Sequence, residues 1–364
     1  MDELSGLYQA HERSSGTHLA LSWKDRVRFT VPREGAAQSA CWKLFKPGKL
    51  GIPMRVQAAL PLLPGAQSCV ESEKLLLIRD TIGTDAGLSC CRAGAPGPWY
   101  KDTILLLDKS AEPLFIVKAG AGEAVNGLLS NEAKWLENLR NEPSLACHVS
   151  DLVAHRAATD LCFVAQRPFS GKQDSTLGKL QVEFLRKLQR FRPKQTLLEE
   201  SRFYQNLLTR LHYLDSLMSS AWSARIKLAM RKIEMSLSGS RILVVAAHND
   251  FTPWNVRLGQ DIARVFDWEY ADYEQLPLFD PLHFTLIQMV LGNCQTLKMT
   301  QRIREALPYW KRSFGEEHCY EPEAQVLAYL LNVCTLYLTS IEGKCDSHHV
   351  LDRFALLIDS VCRE

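Results

Sequence analysis

Short apolar runs, separated by turns that carry glycine and proline, mark the region from residue 88 to residue 169. The run "LSCCRAGAPGPWYKDTILLLD" (88–108) predicts a strand, a turn and a second strand, and "PLFIVKAG" (113–120) predicts a third strand that ends at glycine. "LCFVAQRPF" (161–169) predicts one more strand, followed by a connector that contains proline. These patterns indicate a β-rich lobe over residues 86–168.

Apolar residues at three- and four-residue steps predict helices, most of them later in the chain. One such helix lies among the strands, over residues 126–143. The others are predicted at about 176–191, 198–218, 221–237 and 281–292, with two more between 323 and 362. A β-rich block followed by a helical block favours an α+β protein with two lobes, the second covering residues 169–364. Residues 1–85 fit neither lobe and are expected to form an N-terminal accessory region, an extension of mixed structure.

Composition and charge narrow the class of protein. The 364 residues carry 43 Lys plus Arg against 41 Asp plus Glu, a formal charge of +2 that gives no support for a nucleic-acid partner. No apolar run reaches the roughly 18 residues that a membrane span needs, and the polar N-terminus has no apolar signal core. The eleven cysteines form no CxxC pair and are expected to be free thiols of a cytoplasmic protein.

One loop concentrates polar chemistry between two apolar segments. "HNDFTPWNV" (248–256) directly follows "RILVVAA" (241–247), and "IARVFDWEYA" (262–271) comes next. If the two apolar segments pair as strands, Asp250, Asn255 and Asp267 converge at the mouth of one hairpin. Carboxylate and amide oxygens are ligands that Mg²⁺ prefers, and a free carboxylate can accept a hydroxyl proton. Phosphoryl transfer requires this division of labour.

The stretch "HNDFTPWN" followed by "FDWE" resembles the catalytic and metal-binding loops of the aminoglycoside phosphotransferase and choline kinase superfamily, whose members share the protein-kinase-like fold. "FDWEYADYEQLPLFDPLHF" (266–284) is similar in texture to choline and ethanolamine kinases. The resemblance implies that Asp250 is the catalytic base, that Asn255 and Asp267 are metal ligands, and that His248 braces the loop. Asp280 is expected to cap the helix that begins at Pro281.

The same resemblance assigns a nucleotide site to the first lobe. Lys118 in the strand "FIVKAG" and Glu132 in the following helix occur in the order expected for a phosphate-binding lysine and the glutamate that holds it. Gly94 and Gly97 in "AGAPGP" (93–98) are candidates for a turn that covers phosphates, and Gln166 for the start of a hinge whose backbone binds a purine edge. An ordinary turn and an ordinary connecting strand are the alternatives for these last two segments.

The expected activity is transfer of the γ-phosphoryl group of ATP, with Mg²⁺, to a hydroxyl of a small molecule. An amino alcohol would favour an aromatic wall from Trp268, Tyr270 or Tyr273, whereas a sugar or aminoglycoside would favour acids such as Asp272 or Glu274. The alternative is a pseudokinase-like module that binds a nucleotide or a partner without turnover. The acceptor and the oligomeric state are left open by the sequence.

Overall fold

The computed structural model describes residues 6–10, 16–23, 26–34, 67–94, 97–342 and 349–363. The chain divides into two units. Unit 1 comprises Met1–Asn138 with Ser150–Phe169, and unit 2 comprises Leu139–Val149 with Ser170–Glu364. The first is built on a β-sheet and the second is mostly helical, as the α+β pattern predicts.

An antiparallel sheet forms the framework of unit 1. Among the described residues its strands follow the order β1-β4-β2-β3-β5-β6-β7-β9-β8. They are β1 (Tyr8–Ala10), β2 (His18–Trp23), β3 (Arg26–Pro32), β4 (Gln67–Glu71), β5 (Leu88–Arg92), β6 (Lys101–Leu107), β7 (Pro113–Gly120), β8 (Leu152–Arg156) and β9 (Cys162–Gln166). Two helices belong with it, α1 (Glu73–Ile82) and α2 (Glu123–Arg140).

The unbroken apolar run of β6 has a simple cause. Ile104 and Leu106 belong to one buried apolar cluster, whereas Leu105 and Leu107 belong to another. Because successive side chains of a strand point to opposite faces, a strand covered on both faces needs apolar residues at every position. The central part of this sheet is therefore buried on both sides.

The sheet continues across the predicted boundary at residue 85. Strand β3 pairs with β5 through Phe29 opposite Arg92 and Thr30 opposite Cys91. The described strands of the N-terminal region are thus part of the same sheet as β5 to β9. Whether residues 1–85 act as a separate accessory region stays a prediction, and residues 35–66 lie outside the described part of the chain.

His18 anchors this N-terminal part through a buried polar cluster. Its Nε2 lies 3.1 Å from the Ser89 carbonyl oxygen, and its Nδ1 lies 2.8 Å from the Thr17 hydroxyl. Burial lowers the pKa of His18 to about 4, opposed by the bond to Ser89 and aided by the positive charge of Arg79. His18 is therefore neutral in the folded protein at neutral pH.

This burial predicts an acid-sensitive fold. The folded pKa of about 4 lies below the ordinary value of 6.5, so the unfolded chain binds more protons between these pH values and stability falls as the pH drops through 6.5. The His18 contribution to the free energy of unfolding should decrease by about 2 kcal/mol between pH 7 and pH 5. Urea unfolding at both pH values measures this loss, and the His18→Gln variant, which cannot titrate, should show a correspondingly shallower dependence. An equal pH dependence in both proteins would contradict the assignment.

Unit 2 combines helices with two small β-structures. A three-stranded sheet has the order β10-β11-β14, and β12 pairs with β13 as a hairpin. The strands are β10 (Lys194–Leu197), β11 (Arg241–Ala247), β12 (Val256–Leu258), β13 (Ala263–Val265) and β14 (Asp272–Gln275). The helices are α3 (Lys179–Gln189), α4 (Arg202–Leu214), α5 (Ser220–Leu237), α6 (Phe279–Leu291), α7 (Thr296–Phe314), α8 (Pro322–Ser340) and α9 (His349–Arg363).

Helix α8 is the centre of the helical packing. Twelve consecutive residues, from Ala324 to Thr335, are buried, and the helix packs against α4, α5 and α9. A helix that is apolar on all sides must be covered on all sides, which explains the pattern of this segment. Helix α7 was not predicted from the sequence, and it adds an amphipathic helix between α6 and α8.

The predicted pairing of the two strands around the polar loop is wrong. β11 pairs with β10 and β14, while the short β13 pairs with β12, which lies inside the segment predicted as loop. β11 is thus a central strand with a neighbouring strand on each side, whereas β12 and β13 form a hairpin of two strands that are close in sequence.

Among the described residues, no helix combines the length and apolar character that a membrane crossing requires.

The cysteines are mostly free, as predicted, with one exception. Eight of the described cysteines are free thiols, and six of these are buried. Cys90 in β5 is disulfide-bonded instead. The prediction of free thiols is therefore wrong at Cys90.

Candidate active site

The β12–β13 hairpin explains how Asn255 and Asp267 come together across twelve residues of sequence. Val256 lies opposite Val265, and the Phe266 backbone N–H donates to the Asn255 carbonyl oxygen at 3.1 Å. Asn255 thus precedes Val256, and Asp267 follows Val265 by two residues, so both flank the same outermost pair of the hairpin. Both residues therefore lie at the open end of the β12–β13 hairpin. The sequence had predicted them at the mouth of a different hairpin, formed by the two apolar segments on either side of the loop.

Asp250 is held by the amide side chain of Asn255. The Asn255 Nδ2 donates to the Asp250 backbone oxygen at 3.0 Å and to its Oδ2 at 2.8 Å. A short helical turn, Pro253–Asn255, brings the amide back toward the carboxylate. The Asp250 side chain is 29% exposed, whereas Asn255 is buried. The carboxylate is thus fixed in position and still accessible to a small molecule.

Asp280 has a different role from the predicted helix cap. Helix α6 begins at Phe279, so Asp280 lies in its first turn, and its two carboxylate oxygens accept the backbone N–H groups of His248 and Asn249 at 2.8 and 2.9 Å. Asn249 has φ 63°, a left-handed conformation that Asn tolerates better than most residues. Burial raises the pKa of Asp280, opposed by His248 and by these two bonds. Asp280 therefore fixes the backbone that precedes Asp250.

His248 braces the loop from inside unit 2. It is fully buried, its Nε2 lies 3.1 Å from the Phe266 carbonyl oxygen, and its Nδ1 accepts the Asp250 N–H at 3.3 Å. The ring centroid lies 4.6 Å from that of Trp268 in an edge-on contact. His248 thus ties the Asp250 loop to the strand that precedes Asp267, which is the bracing contact that the resemblance implies.

His283 belongs to the site but was not predicted from the sequence. This residue of α6 lies with its Nε2 3.1 Å from Asp250 Oδ1 and its Nδ1 3.1 Å from the Tyr329 hydroxyl. Asp250 Oδ1 therefore faces His283, while its Oδ2 faces Asn255. The only signal in the sequence was the position of His283 three residues after Asp280 on a predicted helix, which places both on one side of that helix.

The residues at the hairpin mouth fit a hard divalent cation. Because both Nδ2 bonds of Asn255 go to Asp250, its Oδ1 is the atom left to bind a cation. A carboxylate oxygen of Asp267 and one of Glu269 lie within 4.8 Å of each other. Asp267 has φ 75°, a left-handed turn that directs the chain away from β13 immediately after the hairpin. Three oxygen donors on one short segment are suited to Mg²⁺.

Unit 1 contains the predicted lysine–glutamate pair as one connected cluster. Lys118 Nζ in β7 donates to both carboxylate oxygens of Glu132 in α2, at 2.8 and 2.7 Å. The Gln166 side chain also donates to Glu132 Oε1 at 2.8 Å. Glu132 is fully buried, while the Lys118 side chain is 14% exposed. The lysine is held at a fixed position, with part of its surface still accessible.

Gln166 and the two glycines have local structural explanations. Gln166 lies in β9, paired with Ile116 of β7 on one side and Leu152 of β8 on the other, so its part in binding a purine stays a prediction. A Cβ at Gly94 would lie 2.1 Å from the Lys101 carbonyl oxygen, so only glycine fits this close approach. Gly97 has φ 150° with open space around it, and phosphate contact at either glycine stays a prediction.

The residues proposed from the sequence to contact an acceptor are engaged elsewhere in unit 2. Trp268 is fully buried against His248, so the prediction that its ring faces an ammonium group is wrong. Asp272 lies 3.5 Å from Arg202, and Glu274 lies 2.9 Å from Lys194. The exposed aromatic of this region is instead Trp254, 41% exposed, within the loop between Asp250 and Asn255.

Solved structures with the same fold include aminoglycoside phosphotransferases. A thermostable mutant of aminoglycoside phosphotransferase APH(4)-Ia in its apo form aligns over 79% of this chain and 98% of its own, with a TM-score of 0.54 and 14% identity. Another mutant of that enzyme, in a ternary complex with ADP and hygromycin B, aligns over 79% of this chain and 97% of its own, with a TM-score of 0.51 and 13% identity.

At the level of sequence, no protein-family model matches the chain and no curated protein matches it. The structural similarity confirms the protein-kinase-like fold that the loop sequences predicted. The particular fold is that of the aminoglycoside phosphotransferases, with a β-rich unit and a mostly helical unit.

Proposed function

We propose that this protein is an ATP-dependent phosphotransferase that transfers the γ-phosphoryl group to a hydroxyl of a small molecule. The observation that carries the proposal is the fixed, accessible carboxylate of Asp250, hydrogen-bonded to Asn255, whose hairpin also brings Asp267 to its open end. A carboxylate beside a cation site is the arrangement that phosphoryl transfer to an alcohol needs. The similar structure that contains ADP and hygromycin B supports the same class of reaction.

Each unit contributes a separate part of the mechanism. In unit 1, Lys118 would bind phosphate oxygens of ATP, and Glu132 would keep the ammonium group at a fixed position. In unit 2, Asp250 would accept the proton of the acceptor hydroxyl as the hydroxyl oxygen attacks the γ-phosphorus, and the bond from that phosphorus to the bridging oxygen would break to release ADP. Asn255 and Asp267, with Glu269, would hold Mg²⁺, whose positive charge neutralises phosphate oxygens.

The acceptor class is an amino alcohol, a sugar or an aminoglycoside. The acceptor must fit the accessible side chains of the loop that follows β11, which include Asp250 and Trp254. A carboxylate and an exposed aromatic ring on the same loop favour an acceptor that carries both a hydroxyl group and an ammonium group.

The test is an ATP-consumption screen with Mg²⁺ and pooled amino alcohols, sugars and aminoglycosides. Acceptor-dependent ADP formation, with a phosphorylated product detected by mass spectrometry, is the expected result. ADP formation that is independent of every pool, or nucleotide binding without turnover, would favour the pseudokinase-like alternative.

Lys118→Ala should weaken nucleotide binding and also destabilise the fold. The substitution leaves the fully buried Glu132 without its cation, at a cost on the order of 3 kcal/mol in the free energy of unfolding. Adding Glu132→Gln removes that unpaired charge, so the double variant should regain stability without regaining nucleotide binding. Urea unfolding and calorimetric titration with ATP measure the two properties separately.

This double variant distinguishes a binding role from a purely structural one. If stability and ATP affinity recover together, Lys118 serves only the fold. Lys134→Ala, which removes a lysine two residues after Glu132 in the same helix, is the control and should alter neither property.

A further inference from the structure

A chain of three side chains extends from Asp250 into the interior of unit 2. Asp250 Oδ1 lies 3.1 Å from His283 Nε2, and His283 Nδ1 lies 3.1 Å from the Tyr329 hydroxyl. His283 is 7% exposed and Tyr329 is 1% exposed. The chain therefore begins at an accessible carboxylate and ends in the core.

The hydrogen-bonding requirements of this chain define one tautomer of His283. An ionised carboxylate only accepts hydrogen bonds, so the proton of a neutral His283 ring must be on Nε2. Nδ1 is then an acceptor, and the Tyr329 hydroxyl must donate to it. Burial raises the pKa of Tyr329 well above its ordinary value, so this hydroxyl keeps the proton that it donates.

The inner end of the chain lies among aromatic side chains. The ring of Tyr329 packs edge-on against Phe279 and Phe354, with centroid distances of 5.9 and 6.4 Å. Tyr329 is buried, so its hydroxyl ends the chain inside the core of unit 2. This geometry is suited to holding the carboxylate in place.

We propose that His283 is a positioning residue for Asp250, and that Tyr329 holds His283 in the tautomer that this role requires. The proposal rests on the proposed function of Asp250 as the base. His283 holds Oδ1 and Asn255 holds Oδ2, so the carboxylate cannot rotate, while each oxygen keeps a lone pair for the acceptor hydroxyl.

Other ionisable groups lie near the chain. Asp280, on the same helix as His283, interacts electrostatically with it, and Tyr337 of α8 interacts with Asp250. The Asp250 charge helps to raise the pKa of Tyr337, after burial, so this tyrosine is also protonated near neutral pH. Asp250 and Asp280 are thus two acidic residues that interact with His283.

The tautomer can be measured without any turnover, by ¹⁵N NMR of histidine-labelled protein. In the wild-type protein, His283 should carry its proton on Nε2. In Asp250→Asn, the new amide oxygen must accept the hydrogen bond from Asn255, so the new amide nitrogen faces His283. Because that nitrogen donates, the proton of the His283 ring should move from Nε2 to Nδ1. Tyr329→Phe should leave the wild-type tautomer less populated. A proton on Nδ1 in the wild-type protein, or no change in Asp250→Asn, would overturn the proposal.

Steady-state kinetics of His283 variants separate a positioning role from a general structural role. His283→Leu should lower kcat by about 10²-fold with little change in the KM for ATP, because the base is misplaced while the nucleotide site is not. His283→Gln keeps an N–H donor for Asp250 and should recover most of kcat, and Tyr329→Phe should lower kcat less than His283→Leu. Equal kcat values for the Leu and Gln variants would overturn the positioning role.

Failure of the proposed function gives a different result. In that case the wild-type protein shows no acceptor-dependent turnover with any pool, while the NMR measurement still decides whether His283 and Tyr329 form the chain. Thermal unfolding of the Leu and Gln variants checks that both are folded.

Discussion

Asp250→Asn should lower kcat by roughly 10²–10⁴-fold and leave ATP affinity nearly unchanged, since the substitution removes the proposed general base and keeps its shape. The side chain is fixed between Asn255 and His283, so an amide occupies the same place and still accepts the Asn255 bond. The nucleotide binding proposed for Lys118, a residue of unit 1, should not depend on Asp250. Steady-state rates with a proven acceptor and calorimetric titration with ATP measure the two effects.

The matched control for this change is Asp261→Asn, at an exposed position in the turn between β12 and β13. It introduces the same chemical change six residues before Asp267, and wild-type kinetics are expected. If Asp250→Asn retained near-normal kcat, neither the assignment of the base nor the proposed function could stand.

Asp267→Asn should reduce Mg²⁺-dependent turnover by on the order of 10³-fold, because it removes a negative ligand from the proposed cation site. Asn is chosen because Asp267 has φ 75°, a conformation that Asn adopts readily and that strains alanine. Asp267→Ala should therefore lose both turnover and some stability. Rates measured across a range of Mg²⁺ concentrations, with thermal unfolding of each variant, distinguish the two losses.

Substitution of the other two proposed cation ligands, Asn255 and Glu269, should have smaller effects on the Mg²⁺ dependence. Asn255→Ala should raise the Mg²⁺ concentration needed for the half-maximal rate, and Glu269→Gln should do so more weakly. Direct titration with Mn²⁺ offers a readout that does not depend on turnover. Wild-type Mg²⁺ dependence in Asp267→Asn would show that the hairpin mouth is not the metal site.

Local sequence patterns predicted much of the regular structure. The bounds of β7 and β11 agree with the segments 113–120 and 241–247, because both segments are mostly apolar and end at turn residues or polar residues. The order of β-rich and helical segments predicted the α+β class with two lobes, and the resemblance added the kinase-like fold. The polar loop between two apolar segments indicated Asp250, Asn255 and Asp267 as candidates, and the resemblance assigned their roles.

The tertiary structure decided which residues meet across the chain. Asp280 and His283 reach the loop from 31 and 33 residues away in sequence, and Tyr329 reaches His283 from 46 residues away. No periodicity encodes such pairs, because they depend on how α6 and α8 pack. Trp268 gives the converse case: its sequence context allowed an exposed ring, and packing buried it against His248.

The sequence by itself therefore determined many of the helices and strands, their order and the chemistry of one loop, since these follow from neighbouring side chains and backbone preference. Only the tertiary structure decided that β11 pairs with β14, that the hairpin lies between Val256 and Val265, and that the Asp250 carboxylate has a histidine behind it. These contacts form when distant apolar faces are buried together. The polar groups carried inward by that burial must then find hydrogen-bond partners in the places that packing leaves.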